Sequence, residues 1–292
     1  MKKFRGTGVA IITPFKNDSS IDLAALGRVV NHVITGGVNY IVVLGTTGES
    51  VTLTKDEKKA IISYVVEVTD SRVPIVVGIG GNNTQEIINS IRHTNLNGIE
   101  GILSVAPYYN KPNQRGLFQH FKAIANSTSI PVILYNVPGR TCSNISSDTC
   151  LELANECENV VAIKEASGDM AQIMRIIKNK PDNFSVISGD DLMTIPIIAS
   201  GGAGVISVLA NAFPLATSEL VANSLKSNFR SAREIQLRYL EMIDLLFVDG
   251  NPAGVKAMLS MMNLCLNNLR LPLVPVNRTI YTRIQKAFEE VK

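Results

Sequence analysis

Three groups of residues in this chain have the types and spacing to work on a small carbonyl compound. Lys164 closes the apolar run Val160-Val161-Ala162-Ile163. A lysine drawn into the mouth of a fold is partly desolvated, which favours the neutral amine that attacks a carbonyl and forms an imine. Taken alone, the pattern also fits an ordinary strand-end lysine whose stem packs while its ammonium reaches water. Tyr135 shifts that balance. Tyr135 and Lys164 are each the fourth residue of their apolar runs, 132–135 and 161–164. On adjacent parallel strands they would stand at similar heights, with the phenol able to shuttle protons during carbinolamine formation and dehydration.

The second group is Gly45-Thr46-Thr47-Gly48-Glu49. Its small residues, two hydroxyls and backbone amides could hold a carboxylate, because oriented N–H groups make an anion concavity. As a bare string it is also a capable turn. The third is Arg140, which follows Pro138-Gly139 and suits a bidentate grip on a second carboxylate. A lone arginine of this kind is in most proteins a solvated surface residue. Pro107-Tyr108-Tyr109-Asn110, Ser188-Gly189-Asp190-Asp191 and Ile206-Ser207 complete the polar strand ends, with Gly189 a further candidate for substrate contact. Ser200-Gly201-Gly202-Ala203-Gly204 looks like a phosphate loop. Phosphate barrels, however, bind after strands seven and eight. There this chain offers Asp190 and Asp191 and then Ala210–Pro214 without a cation, so a phosphate-sugar isomerase is disfavoured.

Eight short apolar, β-branched runs must position these groups: 8–15, 40–44, 74–80, 101–106, 131–136, 160–164, 184–188 and 204–209. Most are continuous rather than alternating, as strands buried on both faces are. Helical periods fill the gaps at 23–34, 55–68, 84–94 and 116–126. Thr54 with Glu57 reads as a capping box. Eight strand–helix units predict an α/β fold, a (β/α)8 TIM barrel with an appended C-terminal helical region. Residues 1–215 are expected to form the barrel with the active site. Residues 216–292 are expected to add the last barrel helix and C-terminal helices packed on the barrel or a subunit interface. Among these, 231–247 reads as one helix, and Asn251-Pro252 as the cap and first position of the next.

Bulk properties exclude several classes. Apolar residues are 46% of 292 and the net charge is only +3, with basic residues dispersed, so no nucleic-acid surface is expected. No apolar stretch approaches the roughly 18 residues of a membrane span. The basic start before 9–12 has too short an apolar run for a leader, and a cytoplasmic protein is expected. The four cysteines lack CxxC spacing, and His32, His93 and His120 lie far apart, so no metal is assigned.

With these strings in order, the chain resembles the dihydrodipicolinate synthase family of the pyruvate-dependent class I aldolases. The likeness runs from Gly8 to the last helix. It rests on Gly45-Thr46-Thr47-Gly48-Glu49-Ser50, Pro107-Tyr108-Tyr109-Asn110-Lys111-Pro112 and Leu134-Tyr135-Asn136-Val137-Pro138-Gly139-Arg140-Thr141. Ile163-Lys164-Glu165-Ala166, Ser188-Gly189-Asp190-Asp191 and Gly204-Val205-Ile206-Ser207-Val208 continue it. The resemblance implies condensation of pyruvate with aspartate 4-semialdehyde through a Schiff base on Lys164, with no dissociable cofactor. It implies that Tyr135 moves protons in a relay with Thr46 and Tyr109, the latter entering from a neighbouring subunit. Thr47 and the backbone at Ile206 match contacts to pyruvate, and Arg140 matches the residue holding the semialdehyde carboxylate. A homo-oligomer follows from the resemblance, at least a dimer and usually a tetramer built from dimers. The sister N-acetylneuraminate lyases and keto-deoxy sugar-acid aldolases share the lysine and tyrosine. Thr47, Tyr109 and Arg140 together favour the synthase.

Overall fold

The computed structural model describes residues 3–291; Met1, Lys2 and Lys292, at the outer ends of the two expected regions, lie outside the described residues. Eight parallel strands close a barrel in chain order, with β8 pairing back to β1. They are β1 (Gly6–Ala10), β2 (Tyr40–Val43), β3 (Ile75–Gly78), β4 (Gly101–Val105), β5 (Val132–Asn136), β6 (Val160–Glu165), β7 (Ser185–Ser188) and β8 (Gly204–Ser207). The TIM barrel expected from the eight runs is therefore the fold. Outside it lie α1 (Leu23–Thr35), α2 (Lys55–Thr69), α3 (Thr84–His93), α4 (Gln114–Ala125), α5 (Pro138–Thr141), α6 (Ser147–Glu156), α7 (Met170–Asn179) and α8 (Thr194–Ala199). The chain ends with α9 (Pro214–Leu225), α10 (Phe229–Arg238), α11 (Leu240–Phe247), α12 (Ala253–Met261) and α13 (Arg278–Val291).

The strand runs are continuous because both faces are covered. One set of side chains, among them Val42, Leu103, Ile133, Ile187 and Ile206, fills the barrel interior, with Phe4 packed beneath. The opposite set meets the helices. Met242, Leu246, Met258 and Ile284 of the C-terminal helices share one apolar cluster with β1, β2 and β3. These helices thus extend the barrel's own core. The expected division at 215/216 falls inside the first turn of α9.

Several boundaries differ from the sequence reading for local reasons. β1 begins at Gly6 and stops at Ala10, not 8–15. Beyond it the Ile12 N–H donates to Asn211 Oδ1 (3.1 Å) and Phe15 pairs only with Ile21. Pro14 in that stretch has no N–H for a ladder. β8 stops at Ser207 because the Val208 and Leu209 amides donate to the Asp191 carboxylate (3.0 Å each) instead of continuing as strand. The single helix expected at 231–247 breaks at Tyr239, whose ring packs on Phe213 at 4.9 Å. The capping box at Thr54 forms in both directions.

One irregularity bears on the site. Val132 of β5 pairs with Val160 of β6, but the next partner of β5, Ile133, is Ala162. One extra residue, Val161, is accommodated as a β-bulge, and both Val161 and Ala162 pack into the barrel interior.

Candidate active site

Beyond the bulge, Tyr135 pairs with Lys164 and Asn136 with Glu165. Side chains alternate across a strand, so Tyr135 and Lys164 share the inner face while Asn136 and Glu165 share the outer one. Both inward residues are buried, and the Lys164 Nζ lies 4.1 Å from the centre of the Tyr135 ring. This is the proximity that counting along the two runs predicted. Space for the lysine stem comes from the residue that follows β7. A Cβ on Gly189 would fall 2.9 Å from Lys164 Cε and 2.9 Å from Ala166 Cβ, so only glycine leaves the channel open.

The outward pair locks the strand ends. Asn136 Nδ2 donates to Glu165 Oε1 (3.0 Å) and to Asn144 Oδ1 (2.8 Å), and Gln172 Nε2 donates to Glu165 Oε2 (3.3 Å). The Ser167 N–H adds a bond to Glu165 Oε1 (3.0 Å). Burial raises the Glu165 pKa above the ordinary carboxylate value, and these donors oppose the rise. Sequence inspection passed over this network: Asn136 and Glu165 follow the counted register, but no spacing brings Asn144 and Gln172 to them.

The Gly45–Gly48 loop crosses from β2 to α2 between two residues in left-handed backbone, Leu44 (φ 59°) and Glu49 (φ 51°). It bends over β3 closely: a Cβ on Gly78 would lie 2.3 Å from the Leu44 carbonyl oxygen. The amides of Gly48 and Glu49 are taken by the loop's own carbonyls of Gly45 and Thr46 (3.1 Å each). The hydroxyls of Thr46 and Thr47 therefore carry more of the donor capacity than the sequence reading assigned them.

A cavity of about 560 Å³ opens at this end of the barrel. Lys164, Tyr135, Thr46, Thr47, Arg140 and Gly189 all line it. Arg140 reaches it from the single turn of α5, which Pro138 starts with its fixed φ. Two expected site residues are not among those lining the cavity of their own chain. The Ile206 side chain is buried in the barrel interior beside Tyr135 in the apolar cluster, leaving its backbone as the group for contact. Tyr109 is 90% exposed, with φ 67°, and does not line the cavity of its own chain.

The C-terminal region supplies cavity groups that sequence reading missed: Asp244 of α11, Arg283 of α13 and Asn251 between α11 and α12. Asn251 is not a helix cap. α12 begins at Ala253, and the Asn251 Nδ2 donates to Thr47 Oγ1 at 3.0 Å. Asn before Pro looks the same in sequence whether it caps a helix or reaches 204 positions back to a loop.

The anion seat that phosphate barrels keep beside β8 is filled by the chain itself. Asp191, on the loop after β7, accepts from Ser207 Oγ (2.5 Å) and from the amides of Val208 and Leu209. Burial raises its pKa, against those three donors. Among the described residues no group of three His, Cys, Asp or Glu side chains is placed to hold a metal, and no helix is long and apolar enough to cross a membrane.

A lysine and a tyrosine side by side at the mouth of a closed parallel barrel, with hydroxyls and an arginine around one cavity, define an enzyme of the class I aldolase type. The model of the dihydrodipicolinate synthetase family matches residues 3–291, and the chain belongs to that family. It is 52% identical over 287 residues to the 4-hydroxy-tetrahydrodipicolinate synthase of Parabacteroides distasonis, covering 98% of this chain and 97% of the relative. The dihydrodipicolinate synthase of Thermotoga maritima superposes with a TM-score of 0.97 at 40% identity, covering 99% of each chain. That of Acinetobacter baumannii, solved as chloride inhibited and complexed with pyruvate, gives 0.95 at 38% identity over 98% of each chain.

Proposed function

We propose that this chain condenses pyruvate with aspartate 4-semialdehyde to give 4-hydroxy-tetrahydrodipicolinate, the reaction after which its curated relatives are named. The observation that carries the site assignment is the Lys164 amine held 4.1 Å from the Tyr135 ring inside a cavity that also contains Arg140. The Lys164 amine adds to the pyruvate ketone, and the carbinolamine hydroxyl leaves as water after a proton from Tyr135. Loss of a methyl proton turns the imine into an enamine. Its terminal carbon bonds to the aldehyde carbon of the second substrate, whose oxygen takes up a proton. The amine of that substrate then attacks the imine carbon, closes the ring and frees Lys164.

The remaining roles follow the strand ends. Thr46, which shares the cavity with Tyr135, carries the proton path onward, and Thr47 with the Ile206 backbone and Gly189 seats pyruvate. Arg140 takes the semialdehyde carboxylate by paired N–H bonds. Tyr109 is too exposed to serve its own cavity, which supports a homo-oligomer in which Tyr109 of the partner subunit completes the relay. In this scheme Lys164 does the covalent work, so no dissociable cofactor enters it.

Borohydride reduction in the presence of pyruvate tests the mechanism. The expected result is one stable adduct, mapped by peptide analysis to Lys164 and lost in Lys164→Ala. No adduct, or an adduct at another lysine, refutes it. Assaying pyruvate with aspartate semialdehyde against N-acetylmannosamine fixes the second substrate.

A further inference from the structure

The ion pair between Glu49 and Lys256 has both side chains fully buried, and the reaction as written does not use it. Glu49 ends the Thr46–Thr47 loop in its left-handed conformation. The Lys256 Nζ lies 2.5 Å from Glu49 Oε1, donates to the Asn268 carbonyl (2.8 Å) and sits 4.1 Å from the centre of the Phe15 ring. The Arg270 N–H donates to the other Glu49 oxygen at 3.1 Å. Burial pulls the Lys256 pKa down, and Glu49 opposes that pull. A buried ion pair is seldom worth more to stability than apolar residues of the same volume, so what it supplies here is geometry.

The same short segment touches the loop a second time. Asn251, 7% exposed, donates its Nδ2 to Thr47 Oγ1, and Thr47 is itself 1% exposed. A hydroxyl oxygen that receives a hydrogen from one side must aim its own hydrogen elsewhere. Both Thr47 and Asn251 line the cavity, so the space around the reacting carbonyl is where that hydrogen can find an acceptor.

We propose that the segment from Asn251 to Lys256 is the positioning element for the keto-acid carboxylate. Lys256 holds the loop in place through Glu49, and Asn251 turns the Thr47 hydroxyl so that its proton meets a carboxylate oxygen. Neither residue touches substrate in this role. The inference rests on the reading above that Thr47 seats pyruvate. It extends the site from the barrel strands to the C-terminal helices.

The test compares wild type with Asn251→Ala, Lys256→Met and the double variant Glu49→Gln/Lys256→Met. Measured are pyruvate saturation of borohydride trapping, KM for each substrate, kcat and thermal midpoint. Asn251→Ala is expected to raise the pyruvate KM about tenfold, the loss of one charge-assisted hydrogen bond, with the aldehyde KM within about twofold of wild type. Lys256→Met leaves Glu49 charged and unpaired, so its thermal midpoint falls. Because that variant can fail to fold, the double variant carries the ion-pair arm. It should regain thermal stability while its pyruvate KM stays raised. A purely structural role predicts altered thermal midpoints with unchanged pyruvate saturation, and that result overturns the proposal. So does a double variant that regains both stability and pyruvate KM. Wild type that traps no pyruvate refutes instead the reading of Lys164, so the two failures are distinct.

Discussion

Gly189 bears on the chemistry through what it lacks. Any side chain there meets the Lys164 stem at 2.9–3.1 Å, and the stem can yield only by swinging away from its place over Tyr135. Gly189→Ala should therefore slow pyruvate trapping by roughly tenfold to a hundredfold, since a displacement of about 1 Å in a reacting group has that effect. Its thermal midpoint should fall as well, because the Ala166 Cβ, also 2.9 Å away, cannot swing aside as the lysine stem can. Trapping at the wild-type rate would show that the amine does not need this channel. The sequence already placed Lys164 and Tyr135 together, because strand register can be counted. The outward pair Asn136 and Glu165 lies in that same register, but their partners Asn144 and Gln172 were illegible, since those contacts depend on how the chain runs into α6 and where α7 starts. Asn251 was misread, because a cap and a long-range donor share one local signature.

Among the helices, α4 carries a titrating group that packs against its neighbour α3. His120 is 6% exposed, shares a hydrogen bond of 2.8 Å between Nδ1 and Thr84 Oγ1, and stacks edge-on against Phe121. Burial lowers its pKa from 6.5 to about 4. The unfolded chain takes up a proton as pH falls through 6.5, whereas the folded chain waits until about 4. Stability is therefore unaffected above that window and declines across it, by on the order of 3 kcal/mol at most. Urea unfolding at pH 7.5 and 4.5 should show this decline in wild type and a smaller one in His120→Gln. Equal declines would assign the acid sensitivity to other groups. At this scale the sequence read well for strands, because burial on both faces writes a continuous apolar run, and for α2, whose capping box is local. It failed at 231–247, where apolar spacing runs on through Tyr239 while the packing of Phe213 does not.

For the molecule as a whole, Lys164, Tyr135, Thr46, Thr47, Arg140 and Gly189 meet at one cavity, whereas Tyr109 is 90% exposed and does not line it. Activity per chain should therefore fall on dilution in step with loss of the oligomer, followed by sedimentation, and Tyr109→Phe should lower kcat at concentrations where the oligomer persists. A fully active single chain would remove Tyr109 from the relay. The closed sheet has a different consequence through the extra residue at Val161. If pairing continued evenly from Val132 and Val160, Ile163 would face Tyr135 and the amine of Lys164 would be carried to the outer layer. A ring of eight strands has no free edge along which one member can slide to correct the error. The same chain paired evenly through that point would still close the cylinder, with an isoleucine where the amine had been. The difference between a catalyst and an inert barrel of identical outline is thus a matter of arithmetic in one strand.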